Sequence, residues 1–123
     1  MLDANQEFEL SQALKQFTGT ESYTQYGSHI LLTDGTLFLA EQAQAFWLMD
    51  LFSSYLVGLR DKEEFVCLKI QTKSNRANVS IEDGNDNIFA KQEILYTDFP
   101  LSSLILYACM YGTSWVVMLP SEY

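Results

Sequence analysis

From residue 65 onward, apolar side chains recur at every second position, and turn-forming residues interrupt them at short intervals. No other feature constrains the fold as much. A period of two is the signature of a half-buried strand, and closely spaced turns leave only antiparallel pairing between neighbours. Phe65, Cys67 and Lys69 fall on one side of the first such segment, and Val66, Leu68 and Ile70 on the other, with Lys69 the odd one out. After a turn at 72–76, Ala77, Val79 and Ile81 alternate with Asn78, Ser80 and Glu82. A second turn at 83–87 leads to a strand over 88–96 and a break at 97–101. Two last strands are expected near 103–110 and 115–119, joined through Tyr111-Gly112-Thr113-Ser114. This is the layout of an antiparallel meander.

Upstream the period is 3.6. Residues 6–17 place Phe8, Leu10, Ala13, Leu14 and Phe17 near one helical face, with acids early and Lys15 late, which suits the helix dipole. A polar, aromatic loop carrying Tyr23 and Tyr26 follows, then a short strand at Ile30-Leu31-Leu32. Asp34-Gly35 reads as a tight turn, since glycine tolerates positive φ. The longest helical pattern runs over 39–57 and stops at Gly58. It is apolar nearly all round, which places it at the centre of the fold. The expected fold is therefore α+β: an antiparallel sheet of five to six strands, mostly from the C-terminal half, on a long central helix and a short N-terminal one. No repeat or linker divides it, so residues 1–123 are read as one domain.

Charge limits the partners. Seven Lys and Arg face sixteen Asp and Glu, for a net charge of −9. That balance argues against gripping a nucleic-acid backbone or an anionic membrane surface, and neither is expected as a partner. The uncharged stretch 99–121 is long enough to span a bilayer, but Ser102, Ser103, Gly112, Thr113 and Ser114 interrupt it. Two buried strands fit it better. Nothing in the opening residues resembles a secretory signal, so a cytoplasmic location is expected. Cys67 and Cys109 then read as reduced core residues, and the Asn78-Val79-Ser80 sequon carries no weight.

Tests for chemistry mostly fail. His29 is the one histidine and lies beside Ser28 without a nucleophile-elbow context. Cys67, Cys109 and His29 cannot supply zinc spacing, and glycine-rich phosphate loops are missing from the sequence. Asp83, Asn85 and Asn87 imitate the start of a calcium loop. However, Ile88 and Ile94 stand where that loop needs Gly and Glu, so a simple turn is favoured. No metal, cofactor or catalytic residue is expected. Asp50 on the central helix would become a proton-transfer candidate only if buried.

Three functional readings remain. The leading one is a non-catalytic interaction module, a homodimer or the binder of another protein, with Tyr107, Tyr111, Trp115 and Tyr123 as interface candidates. A second is an acidic decoy that mimics nucleic acid and blocks a basic protein, as anti-defence inhibitors do. A third is a small-molecule binder or enzyme, with Tyr23, Tyr26, Trp47 and Asp50 lining a helix–sheet pocket.

Several segments carry a likeness to a known group. These are Phe17-Thr18-Gly19-Thr20-Glu21, Leu32-Thr33-Asp34-Gly35, Leu39-Ala40-Glu41-Gln42-Ala43 and Phe46-Trp47-Leu48-Met49-Asp50, with Tyr96-Thr97-Asp98-Phe99-Pro100-Leu101 and Leu119-Pro120-Ser121-Glu122-Tyr123. In this order the chain resembles a family of small bacterial proteins, many of them cyanobacterial, with no established function. The resemblance implies a family label and brings no activity, ligand or catalytic residue with it.

Overall fold

The computed structural model describes residues 4–123. Residues 1–3, part of the segment read for a secretory signal, lie outside the described residues. Helix α1 (Ala4–Leu14) precedes strands β1 (Tyr23–Gly27) and β2 (Ile30–Thr33), helices α2 (Asp34–Gln42) and α3 (Phe46–Leu59), and strands β3 (Phe65–Lys73), β4 (Arg76–Glu82), β5 (Ile88–Ile94), β6 (Ser103–Tyr111) and β7 (Ser114–Met118). A 3-10 turn at Pro120–Glu122 ends the described chain.

The class is α+β as expected, but the sheet is larger and mixed. It has seven strands in the order β1-β2-β7-β6-β3-β4-β5. Strands β2 and β7 run parallel, pairing Ile30 with Trp115 and Leu32 with Val117. Every other pair is antiparallel. The meander holds for β3, β4 and β5. Strand β6 then returns along 95–102 to lie beside β3, so the four strands make a Greek key. The return is anchored by Thr72, whose hydroxyl donates to Leu101 O at 2.7 Å and whose N–H donates to Ser102 O at 2.9 Å.

Tight turns set the registers. Ser74 and Asn75, at φ 53° and 63°, turn β3 into β4 with Lys73 opposite Arg76, as the primed two-residue hairpin turn requires. Gly112, at φ 62°, does the same between Tyr111 and Ser114.

Three expectations need correction. The long helix over 39–57 is two helices. Gln44 sits at φ 50°, and the Ala45 N–H reaches back to Ala40 O at 2.9 Å. The break lets Ala43 and Ala45 bury their side chains while the chain changes direction. Asp34-Gly35 is not a turn but the start of α2, capped by Thr33, whose hydroxyl accepts the Thr36 N–H at 3.3 Å. The aromatic loop around Tyr23 and Tyr26 is the edge strand β1, paired with β2.

All three helices cover one side of the sheet. Leu10 and Leu14 of α1, Leu39 and Ala40 of α2, and Leu48, Met49, Phe52 and Leu56 of α3 pack on Ile30, Leu32, Val66, Leu68, Ile70, Val79, Ile81, Leu106, Ala108 and Val117. Trp115 lies in this layer at 0% exposure, and its indole N–H donates to Leu56 O at 3.0 Å. Burying each such large apolar side chain stabilises the fold by about 1.5–3 kcal/mol before entropy is counted.

Candidate functional site: the open face of the sheet

Because side chains alternate, the residues between those core positions project from the other side of the sheet, which carries no α-helix among the described residues. The strand registers order them in rows. At one end Phe65, Cys109 and Val116 stand side by side, with Leu31 beyond them on β2. The next row is Glu82, Cys67, Tyr107 and Met118. Further along come Lys91, Ser80, Lys69 and Ile105, then Glu93, Asn78, Gln71 and Ser103, and lastly Lys73 opposite Arg76. The face therefore grades from apolar to cationic.

The apolar end is a second, smaller cluster: Cys109, Val116 and Met118 are buried, with Leu31, Phe65 and Tyr107 packed around them. The rings of Phe65, Tyr107 and Tyr123 meet in a three-way cluster, with centroids 5.0 to 5.6 Å apart. Edge-to-face packing of this kind adds to simple area burial. Tyr123, at 74% exposure, leaves the outer side of the cluster to solvent.

The cationic end holds Lys69, Lys73, Arg76 and Lys91, four of the seven basic residues of an acidic chain. Two carboxylates share it. Glu82 is nearly buried and lies 2.9 Å from Lys69 Nζ, a contact that raises the lysine pKa. Glu93 is 4.0 Å from Arg76 in an exposed pair, of a kind worth about 0–1 kcal/mol. An open concavity of about 940 Å³ is lined by Gln71, Lys73, Arg76, Asn78 and Glu93. A second, of about 510 Å³, continues it past Lys69, Ser80 and Lys91.

The residues singled out from sequence divide cleanly. Tyr107 and Tyr123 come together on the open face, and Tyr111 sits exposed at the end of the β6–β7 hairpin. Trp115 does not join them, because its position in β7 points it into the helix-covered core. Of the pocket candidates, only Tyr26 and Asp50 meet. The phenol donates to the Asp50 carboxylate and lies 3.2 Å from Phe46 O, and its ring stacks on Phe46. Burial, the hydrogen bond and the Asp50 charge push the Tyr26 pKa up to about 12. Asp50 is exposed, so the burial on which its candidacy depended is not met. Tyr23 is exposed on β1, and Trp47 packs edge-on against Phe99 at 6.1 Å. The pair pins β1 to α3.

The acidic turn is likewise self-contained. Asp83 accepts from the backbone N–H groups of Asn85 (2.7 Å) and Asn87 (3.2 Å) and from the Asn87 amide (2.7 Å), and these bonds lower its pKa. His29 lies in the two-residue turn between β1 and β2, and its carbonyl accepts the Trp115 N–H at 2.7 Å. Cys67 and Cys109 are free, buried thiols on the open side, and burial raises both pKa values.

What sequence reading missed was the cationic half. The signal was present: Lys69, Gln71 and Lys73 alternate with Ile70 and Thr72, so the apparently misplaced Lys69 marks a solvated strand face.

Three of the six segments that carried the family likeness meet in one place. Asp34 accepts from Glu21 N–H (2.9 Å) and the Ser22 hydroxyl (2.7 Å), and its own N–H donates to Thr20 Oγ1. Glu122 accepts from the Thr33 hydroxyl (2.6 Å), Gly35 N–H (3.1 Å) and Leu119 N–H (3.0 Å). A Cβ on Gly35 would stand 2.7 Å from Glu122 Oε1 and Leu119 Cδ1, so any larger residue there would have to displace those two side chains. Three distant segments thus share one knot.

Among the described residues, no helix is long and apolar enough to cross a membrane. The chain belongs to a family of unknown function (DUF6876), whose profile matches residues 8–123. No curated protein and no solved structure matches it.

Proposed function

We propose that this chain is a non-catalytic binding module whose open sheet face holds a partner protein. The carrying observation is the one-sided helix layer: the uncovered face presents an aromatic cluster beside four cations on a chain of net charge −9. Apolar and aromatic surface supplies affinity, and complementary charge supplies orientation and on-rate. The fitting partner offers an apolar side chain to the Phe65–Tyr107–Tyr123 cluster and carboxylates to Lys69, Lys73 and Arg76. A nucleic-acid backbone fits less well, because carboxylates elsewhere on the chain repel it beyond a short contact.

The test is site-specific photocrosslinking in the native cell, with the reactive group at Ser80 or Tyr123 on the open face and at Glu9 on α1. A discrete adduct from the first two positions, weakened when Lys69 and Lys73 are both changed to Glu and not formed from Glu9, supports the reading. Adducts formed equally from α1, or none from the open face, would overturn it.

A further inference from the structure

The sheet has two edges, and they differ. Strand β1 is short and its pairing shifts between Gln25 and Gly27. Strand β5 runs seven residues, Ile88–Ile94, with a shift of its own at Phe89 but a regular run from Ala90 to Ile94, and among the described residues it has no neighbour on its outer side. Unpaired strand edges invite pairing with another chain, and proteins ordinarily blunt them. This edge is instead apolar at its flanks: among the described residues, Ile88 (49%), Phe89 (37%), Leu95 (71%) and Tyr96 (75%) are four of eleven exposed large hydrophobic side chains.

The order of residues along β5 points to its occupant. We infer that a second copy of this chain pairs antiparallel with β5 about a two-fold axis at Gln92, joining the two sheets into one. In that register Lys91 stands opposite the second copy's Glu93, and by symmetry Glu93 opposite the second copy's Lys91. Ala90 faces Ile94, the last residue of the strand. Charged and apolar residues each meet their complement. Moving the axis to Lys91 or to Glu93 sets like charges directly opposite, which is destabilising. Placing it between residues would turn every side chain to the wrong face. A closed two-fold pairing also consumes both edges, so it ends at two copies. Lys91 and its neighbours Ser80 and Lys69 lie on the open face, so pairing extends that face across the seam without covering it. The inference rests on the edge and stands apart from the reading of the open face.

The test is the solution mass by light scattering over a concentration series, with Lys91→Glu, Glu93→Lys and the double exchange. Both side chains are exposed, so the variants should fold, as circular dichroism would show. Twice the 14.1 kDa chain mass is expected for the native protein. Each single reversal should weaken the dimer about tenfold or more, since two attractive cross-strand pairs become two repulsive ones. The double exchange restores the pairs and should recover most of the affinity. A native protein that stays at 14.1 kDa, or a dimer indifferent to the single reversals, would overturn the inference. A dimer lost instead on changing Tyr107 and Tyr123 to Ser would move the seam to the open face and equally overturn it.

Discussion

Replacing Glu122 by Ala tests whether the C-terminal residues hold the fold together. The carboxylate accepts three hydrogen bonds, from the Thr33 hydroxyl at 2.6 Å and from the N–H groups of Leu119 at 3.0 Å and Gly35 at 3.1 Å. Hydrogen bonds to a charged group contribute about 1.5–3 kcal/mol each when considered singly. They do not add, because one side chain makes all three and Glu122 is only half-buried, so water can reach part of the vacated site. About 2–3 kcal/mol is therefore the expected loss, close to one full charged bond plus part of the others. With Glu122 gone, the single Thr33 hydroxyl proton can turn to the Val117 carbonyl 3.3 Å away, beside the bond that the Thr36 hydroxyl already makes there, which limits the damage at α2. Urea unfolding followed by tryptophan fluorescence would read it directly, since Trp47 and Trp115 lie in and against the core. In Glu122→Gln one oxygen remains, so that variant should lose about half as much. If Glu122→Ala lies within about 0.5 kcal/mol of the native chain, the ordinary range for surface substitutions, the knot is not a structural lock.

Other consequences can be checked with the same material. Trp115→Glu should abolish folding by circular dichroism, because it buries an unpaired charge at a fully enclosed site; a folded product would place Trp115 at a surface. Asp34 has its pKa lowered, first by the Ser22 hydroxyl and then by the Glu21 N–H. Its contribution is therefore present above the unfolded carboxylate value near 4 and lost as pH falls through the lower folded value. Thermal melts of Asp34→Asn should accordingly vary less with pH than native melts below about pH 4. Tyr26 shows the opposite sign. Its raised pKa of about 12 means stability present below the unfolded phenol value near 10 and lost as pH rises through the folded one. Tyr26→Phe should flatten the alkaline limb in that window. Cys67 and Cys109, buried with raised pKa values, should react with a thiol reagent only on unfolding. Prompt labelling of the native protein would contradict their placement.

Strands β3 and β4 were legible because alternating positions write a period of two into the sequence, and β6 and β7 because a turn signal at Gly112 divides one long uncharged apolar stretch. The break between α2 and α3 was not, since Ala43, Gln44 and Ala45 are all good helix formers. The turn there comes from burying the two alanines, which is tertiary context overriding propensity. Asp34-Gly35 misled for the same reason: the local pair signals a turn, whereas its partners Thr20, Ser22 and Glu122 lie far off in sequence. The parallel β2–β7 pairing joins segments more than eighty residues apart and leaves no local mark. For the site, Tyr107 and Tyr111 could be found as aromatics in an uncharged stretch and Tyr123 just beyond it, but Trp115 differs from the strand tyrosines only in parity. The lysines of the open face were hidden because charge in a strand read as an exception rather than as a solvated face.

The central claim is that the uncovered sheet face is the working surface, and lysine footprinting tests it most directly. Acylation rates of Lys69 and Lys73 on the open face, and of exposed Lys15 and Lys62 elsewhere, would be compared between the purified chain and the chain in native cells. Slowed labelling of Lys69 and Lys73 with unchanged Lys15 and Lys62 is the expected result. Protection of Lys91 alone would report only the edge pairing. Unchanged rates at Lys69 and Lys73, or protection confined to Lys15 and Lys62, would contradict the account.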